Sequence, residues 1–296
     1  MEKLLTIFTP AYNRGYTIHK TYESLKRQTN KNFKWLIIDD GSTDNTRELI
    51  EKWIKEDNKF EISYIYKKNG GMHSAHNTAY ENIDTELNVC IDSDDYMPDD
   101  AVEKILSFWE KNKSDEIAGI AALDAYESGQ VIGDRFPDNL KTSALFDLHY
   151  KYKIKGDKKL VYRTELTKQY PYPIFAGEKY VSLSYKYTMI DREYPLALMN
   201  EVLCIVEYME DGSSLNMINQ YRKNPKGFAF LRIHNLNNPK AKPLFKFKEC
   251  VHYVSSSLIS RNKNYIKESP CKLTTILAVP LGMVLYKYIM KKTSDV

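Results

Sequence analysis

Asp92-Ser93-Asp94-Asp95 crowds three carboxylates into four residues. Carboxylates so close repel one another unless a cation sits among them, and hard divalent ions take oxygen ligands of this kind. The rival use of such acids is to cap the helix that follows. Three more polar, turn-forming clusters stand upstream: Thr9-Pro10-Ala11-Tyr12-Asn13-Arg14, Asp39-Asp40-Gly41-Ser42-Thr43-Asp44 and Asn69-Gly70-Gly71. Any one of them is a weak signal, because strand-to-helix loops are generally polar. Four at successive strand ends are a stronger one, since an open parallel sheet binds its ligand at the carboxyl ends of its strands. Neither G-x-G-x-x-G nor G-x-x-x-x-G-K-[S/T] occurs, so neither a dinucleotide fingerprint nor a P-loop is indicated.

The elements that must hold these clusters alternate through the first 125 residues. Residues 4–8, 35–38, 62–66 and 87–91 read as strands. Between them, Ile18, Tyr22 and Leu25 give one amphipathic helix and Leu49, Ile50, Trp53 and Ile54 a second, entered at Asn45 with Glu48 three residues on. Met72, Ala75, Ala79 and Ile83 mark a third helix. Pro98 opens a fourth, with Val102, Ile105, Leu106 and Trp109 on one face. Four βα units predict a mostly parallel α/β sheet. Beyond Ala125 the pattern weakens to a Lys/Tyr-rich stretch, a Tyr-Pro-Tyr-Pro break at residues 170–173 and one apolar run at 202–206. A basic helical region begins near Asn219. No internal repeat or low-complexity segment is present.

The chain of 296 residues has a mean hydropathy of -0.52, which excludes a multi-span membrane protein. Its four cysteines form no C-x-x-C pair, against a zinc ribbon, a thioredoxin-like site or a disulfide framework. The apolar run at residues 4–8 is too short for a signal-peptide core, so a reducing cytoplasm is the expected compartment. The net charge of +4 hides an asymmetry. Residues 1–150 hold 18 basic and 27 acidic side chains, whereas residues 222–296 hold 15 and 3. The acidic half suits a cation and the basic half an anionic partner. No nucleic-acid motif accompanies that charge, so nucleic acid is not expected.

In order and spacing, TPAYNR, LKRQTNKNFKWLIIDDGSTDNT, NGGMHSAHNTA and DSDD resemble the inverting glycosyltransferases of family two. The likeness is close over residues 4–110 and looser to about 230. FAGEKY, EYMEDGSS and NPKGF resemble a subset that works on bacterial surface polysaccharides and wall polymers. The resemblance implies a GT-A nucleotide-diphospho-sugar transferase fold, α/β and Rossmann-like, with a basic, mainly helical C-terminal extension. The expected division is residues 1–218 and 219–296.

It also implies a UDP-sugar donor, a glycan or lipid-linked acceptor hydroxyl, and Mn²⁺ or Mg²⁺ against the diphosphate. Asp94 would ligate the metal directly. Asp92 would contact the ribose or reach the metal through water, with Ser93 in the same donor-binding set. Pro10, Tyr12 and Asn13 would line the uracil pocket, Tyr12 stacking on the base. Asp40 would accept the uracil N3–H, while Asp39 bonds the turn. Asn69 and Gly70 would let the backbone approach base or ribose. His76 stands where many relatives carry Arg, and a packed helix-surface histidine is an equal reading. The catalytic base of the family is an acid of a Glu-Asp pair after Gly. Here Gly177-Glu178-Lys179 supplies the Glu, making Glu178 the expected base, but puts Lys at the Asp position. Glu210-Asp211-Gly212-Ser213-Ser214 resembles the loop over the donor.

Two alternatives stand beside this reading: a catalytically weak nucleotide-sugar-binding protein of the same fold, and a sugar-nucleotide pyrophosphorylase. The latter would need a glycine-rich N-terminal phosphate loop, and no glycine precedes Gly15. Near the C-terminus, residues 276–286 form an uninterrupted apolar run of 11, short of the ~20 a spanning helix needs. Pro280 and Gly282 argue further against a single straight helix. Lys287, Lys291 and Lys292 beside it suggest an anionic membrane surface, against packing on the catalytic domain or contact with a second subunit.

Overall fold

The computed structural model describes residues 3–56, 58–207 and 217–293. Its elements run β1 (Leu5–Ala11), α1 (Ile18–Arg27), β2 (Phe33–Asp39), α2 (Thr46–Ile54), β3 (Glu61–Tyr66), α3 (Met72–Asn82), β4 (Leu87–Cys90) and α4 (Ala101–Asn112). Then come β5 (Gly119–Ala125), β6 (Thr142–Ser143), α5 (Leu145–Tyr150), β7 (Lys158–Arg163), α6 (Thr164–Gln169), α7 (Ser184–Ile190) and β8 (Leu196–Ile205). Helices α8 (Met217–Lys223), α9 (Pro225–Leu236), α10 (Pro243–Ile259), α11 (Tyr265–Glu268) and α12 (Lys272–Lys292) complete the chain.

The strands form one sheet in the order β3-β2-β1-β4-β7-β5-β8-β6. β3, β2, β1 and β4 are mutually parallel, while β7 runs antiparallel between β4 and β5. β1 is buried at every residue, as a central strand covered on both faces must be. The apolar faces read from the sequence are the faces that pack. Ile18, Tyr22 and Leu25 of α1 and Val102, Ile105 and Trp109 of α4 join Leu5, Ile7, Trp35 and Val89 in one core. Within it Tyr22 stacks on Trp53 at 4.3 Å and on Trp35 at 5.9 Å. The run 202–206 falls at the end of the ten-residue β8, which closes at Ile205.

The chain divides into two compact units, Met1–Pro171 with Lys186–Met209, and Tyr172–Tyr185 with Glu210–Val296. The first contains the whole sheet. In the second, α10 packs against α9 and α12 around Leu236, Cys250 and Ala278, with Arg232 and Glu249 in a shielded ion pair at 3.0 Å. Pro280 and Gly282, read as arguing against a single straight helix, do not break the last one. α12 is continuous for 21 residues. Gly282 is buried against α10, where a Cβ would stand 2.5 Å from Val254 Cγ1, so the glycine permits a close helix crossing that rewards continuity.

Candidate active site

The strand order reverses between β1 and β4: β2 and β3 continue to one side of β1, and β4 lies on the other. In open α/β sheets ligands bind at such a switch point, at the carboxyl ends of the two strands; here β1 leads into the loop carrying Tyr12 and Asn13, and β4 into the Asp92–Asp95 cluster. Pro10 is buried within β1, while the Tyr12 ring is 49% exposed at its end. Asn13 takes φ +53°, gives its N–H to Ser42 Oγ and accepts the Thr43 N–H on Oδ1, both at 2.8 Å. Since α1 starts only after Thr17, Asn13 is no helix cap. It ties the β1–α1 loop to the β2–α2 loop, and Arg14 N–H to Thr46 Oγ1 and Gly15 N–H to Asp44 Oδ2 add two more ties.

Asp39 is fully buried and accepts from Ser42 N–H and Tyr64 O–H, both at 2.7 Å, which is the turn-bonding role expected of it. Asp40 is also withdrawn. Its carboxylate gathers the N–H groups of Gly70 and Gly71, the latter at 2.7 Å, and the Lys67 ammonium at 2.6 Å. Asp40 thereby pins the Asn69-Gly70-Gly71 loop at the start of α3. A nucleobase donor reaching Asp40 must share it with Lys67.

The acidic cluster is two sites. Asp95 is buried, with Lys159 at 4.0 Å, Cys204 Sγ at 3.6 Å and the Glu207 N–H at 3.3 Å. Burial pushes its carboxyl up to about 7; Lys159 opposes the shift, and Asp92 and Asp94 add to it. Thr21 of α1 donates to the Asp95 carbonyl at 2.7 Å, fixing the loop from beneath. Lys159 also stands 3.9 Å from buried Asp124. Burial pulls Lys159 down, but Asp124, Cys204, Asp95 and Asp92 outweigh it and leave its ammonium well above the usual range. This internal cation beneath the cluster was missed from sequence, where it was one lysine in a lysine-rich stretch. Ser93 is buried, whereas Asp92 and Asp94 are only partly so.

Among the described residues no three His, Cys, Asp or Glu side chains gather into a ready-made metal cage. The chemistry of the donor set still fits Mg²⁺ or Mn²⁺. Such ions are commonly held by one or two carboxylates, with water and substrate phosphates filling the remaining positions. Asp92 and Asp94 are the two acids of the cluster that stay partly exposed.

His76 is not at the helix surface, which corrects the reading of a packed helix-surface histidine. Its ring is 1% exposed and packs edge-on against Phe8 at 5.0 Å, with Nδ1 3.3 Å from Tyr80 Oη and Nε2 3.8 Å from Cys90 Sγ. Burial lowers it to about 3, assisted by Lys186 and His73, so it is neutral and no substitute for a phosphate-binding arginine. Lys186 is itself buried, over the Tyr80 ring at 4.0 Å, and burial lowers it to about 7.

Glu178 lies in the second unit. Its carboxylate accepts the N–H groups of Lys226 and Gly227, the first turn of α9. Glu210-Asp211-Gly212-Ser213-Ser214 lies outside the described residues.

Comparison with known proteins gives this arrangement a family. The putative teichuronic acid biosynthesis glycosyltransferase TuaG of Bacillus subtilis (strain 168) is 33% identical over 107 residues, 36% of this chain and 42% of that protein. The chain spans less than half the length of the curated relatives it matches. The crystal structure of S. aureus TarS 1-349 in complex with UDP-GlcNAc superposes with a TM-score of 0.61 at 18% identity, covering 97% of this chain and 83% of that one. The mannosyltransferase PcManGT from Pyrobaculum calidifontis, in complex with GDP-Man and Mn²⁺, gives 0.56 at 15% identity, covering 100% and 77%. These likenesses carry the fold, and the expected GT-A architecture with its helical C-terminal region is the one found. The sequence model of the family matches residues 6–170, more than half of the chain, and the chain therefore belongs to glycosyl transferase family 2.

Proposed function

We propose that the chain transfers a sugar, with inversion, from a UDP-sugar to a hydroxyl of a cell-surface glycan or a lipid-linked precursor. The observation that carries this reading is the split of the acidic cluster. Asp95 is tied inside against Lys159, while Asp92 and Asp94 stay partly open at the switch point beside an exposed Tyr12. A divalent ion held by Asp94, with Asp92 on the ribose or bridged by water, would neutralise the charge of a departing diphosphate. Tyr12 stacks on uracil, Asp40 accepts its N3–H as Lys67 moves aside, and Asn69 and Gly70 border the ribose. Pro10 and Asn13 shape the pocket from β1 and its loop. TarS supports a uridine donor and PcManGT a cation, each through its own complex.

Glu178 is the proposed base. Each carboxylate oxygen keeps a second lone pair beyond the one given to α9, and the helix holds the group in one orientation. A second reading, a nucleotide-sugar-binding protein with little turnover, is favoured by Lys179 at the usual Asp position and by the capping work of Glu178. The family match gives the pyrophosphorylase no support. A lipid-linked acceptor would place the protein at the inner face of the cell membrane. The test is a screen of UDP-sugars by thermal shift and by hydrolysis, with and without Mn²⁺. Stabilisation with hydrolysis supports transfer, stabilisation alone supports the binding protein, and neither rejects both.

A further inference from the structure

Helix α12 is apolar on both sides. Its buried residues, Thr275, Ala278, Gly282 and Ile289, form one stripe toward its helical neighbours. The opposite face carries Leu273 (79% exposed), Leu277 (71%), Leu281, Val284 (63%) and Tyr288. These lie at i, i+4, i+8, i+11 and i+15, a single strip, with Ile276 and Met283 exposed at its margin. From Leu273 to Tyr288 the strip is roughly 22 Å long. A surface helix of a soluble protein turns its apolar stripe inward and its charges outward. Here an 18-residue stretch of the helix, counted on all its sides, has a mean hydropathy of 1.6, and only 22% of it is buried.

The charges around the strip identify its occupant. Lys272 is exposed at one end, and Lys287, Lys291 and Lys292 at the other, with no Asp or Glu between Lys272 and Lys292. A second copy laid on this face would bring lysines together with no carboxylate from either helix to pair them. A spanning arrangement would draw α10 into hydrocarbon with α12, and α10 carries Glu249 in its ion pair with Arg232. An anionic bilayer surface satisfies both the apolar strip and its basic ends.

We propose that the exposed face of α12 docks on an anionic lipid bilayer, lying in the plane of the interface. Leu273, Leu277, Leu281 and Val284 enter below the headgroups, and Lys287, Lys291 and Lys292 lie among the lipid phosphates. The proposal concerns a surface of the second unit and stands independently of the donor site.

The test is cosedimentation of the full chain with vesicles of 70% phosphatidylcholine and 30% phosphatidylglycerol, against phosphatidylcholine alone. Two variants confined to exposed positions accompany it, Leu277→Asp/Leu281→Asp and Lys287→Gln/Lys291→Gln/Lys292→Gln, with melting curves to confirm folding. The expected result is binding to the anionic vesicles that 0.5 M salt weakens and the first variant reduces at least tenfold. The triple lysine variant should lose on the order of 100-fold. Equal binding by all three proteins, or none at low salt, overturns the proposal. Retention through an alkaline wash overturns it in favour of a spanning helix. A dimer in sedimentation velocity that Leu277→Asp/Leu281→Asp abolishes, with no vesicle binding, gives the face to a second copy.

Discussion

Glu178 and Gly227 are joined across 49 residues of sequence by a 2.9 Å hydrogen bond from the Gly227 N–H to the Glu178 carboxylate. The Lys226 N–H takes the other oxygen at 3.0 Å, and the Lys179 N–H returns the connection to Asn224 Oδ1 at 2.8 Å. A Cβ on Gly227 would stand 2.2 Å from the Tyr180 carbonyl oxygen, and Phe228 stacks on Tyr180 at 5.0 Å. The segments FAGEKY and NPKGF, separate signals in the sequence, are thus two halves of one clamp. An acid at a helix N-terminus satisfies donors that have no partner within the helix.

The capping seen at Glu178 and the base role proposed for it can be separated. Glu178→Gln keeps one oxygen to accept a helix N–H but cannot take a proton. It should lower kcat by roughly 10²–10⁴-fold with the Kd for donor unchanged. Glu178→Ala loses both acceptors and should cost about 1–3 kcal/mol of stability, measured by urea unfolding. A rate loss in Glu178→Gln that merely follows its folded fraction would reduce the residue to a cap and move the search for a base to Asp211.

The partly open acids predict metal dependence. Asp94→Ala should abolish transfer and the tightening of UDP binding by Mn²⁺, measured by calorimetry with and without EDTA. Asp95→Asn should behave differently, disturbing the contacts to Lys159 and the Glu207 N–H and so lowering the melting temperature. Full turnover in EDTA, or an active Asp94→Ala protein, contradicts the assignment.

Cys90 lies between the core and the site. One set of proton positions satisfies the row: Tyr80 O–H to His76 Nδ1, His76 Nε2–H to Cys90 Sγ, and Cys90 S–H to Asp92 Oδ1 at 3.6 Å. Cys90→Val removes the last donor and should weaken Mn²⁺ binding in the presence of UDP by roughly fivefold, the value of one modest hydrogen bond. Cys90→Ser restores a donor and should recover most of it. Equal affinities in both variants would show that the thiol only fills space.

Asp40 predicts the nucleobase. Uracil N3–H needs an acceptor, and Asp40 offers one once Lys67 gives way. UDP should bind more tightly than GDP in calorimetry, and Asp40→Asn should weaken UDP while loosening the Gly70–Gly71 loop it holds. Because guanine also presents N–H donors, tighter GDP binding would reject the reading of the pocket.

Much of the first half was legible because its pattern is local. Ile18, Tyr22 and Leu25 face the core for the same reason that they recur at helical spacing. The strand ends followed, since chain direction in a parallel sheet puts every βα loop on one edge. β7 was not legible: Lys158 and Lys159 open it, and the Lys159 side chain is drawn in to 12% exposure only because Asp124 and Asp95 await it from elsewhere in the chain. β5, rich in Gly and Ala, has little amphipathic signal because it is buried throughout. His76 was misplaced for a related reason. A histidine in a helix carries no sign of the Phe8 and Tyr80 rings that enclose it. Glu178 was visible as a residue, but its partner is 49 positions away.

His76 supplies the last prediction, in pH dependence. Folding lowers it to about 3 from the ordinary 6.5, through burial first and then Lys186 and His73. The unfolded chain therefore binds a proton below about pH 6.5 that the folded chain refuses. The contribution of His76 to stability is complete above 6.5 and declines as pH falls toward 3. Between pH 6.5 and 5 the loss should be roughly 2 kcal/mol. The other groups facing this ring are accounted for. Lys186, lowered to about 7, is mostly charged in both states by pH 6 and adds little slope below it. Burial also lowers His73, which adds slope of the same sign, while the Cys90 thiol, pushed well up by burial, stays protonated throughout this range. Urea unfolding at pH 5.0, 5.75 and 6.5 should therefore give a slope in the native protein steeper by nearly one proton than in His76→Phe. The comparison of slopes removes what every other carboxylate contributes. Parallel slopes would mean that His76 already carries a proton in the folded protein, and the one-way row of donors ending on Asp92 would have to be redrawn.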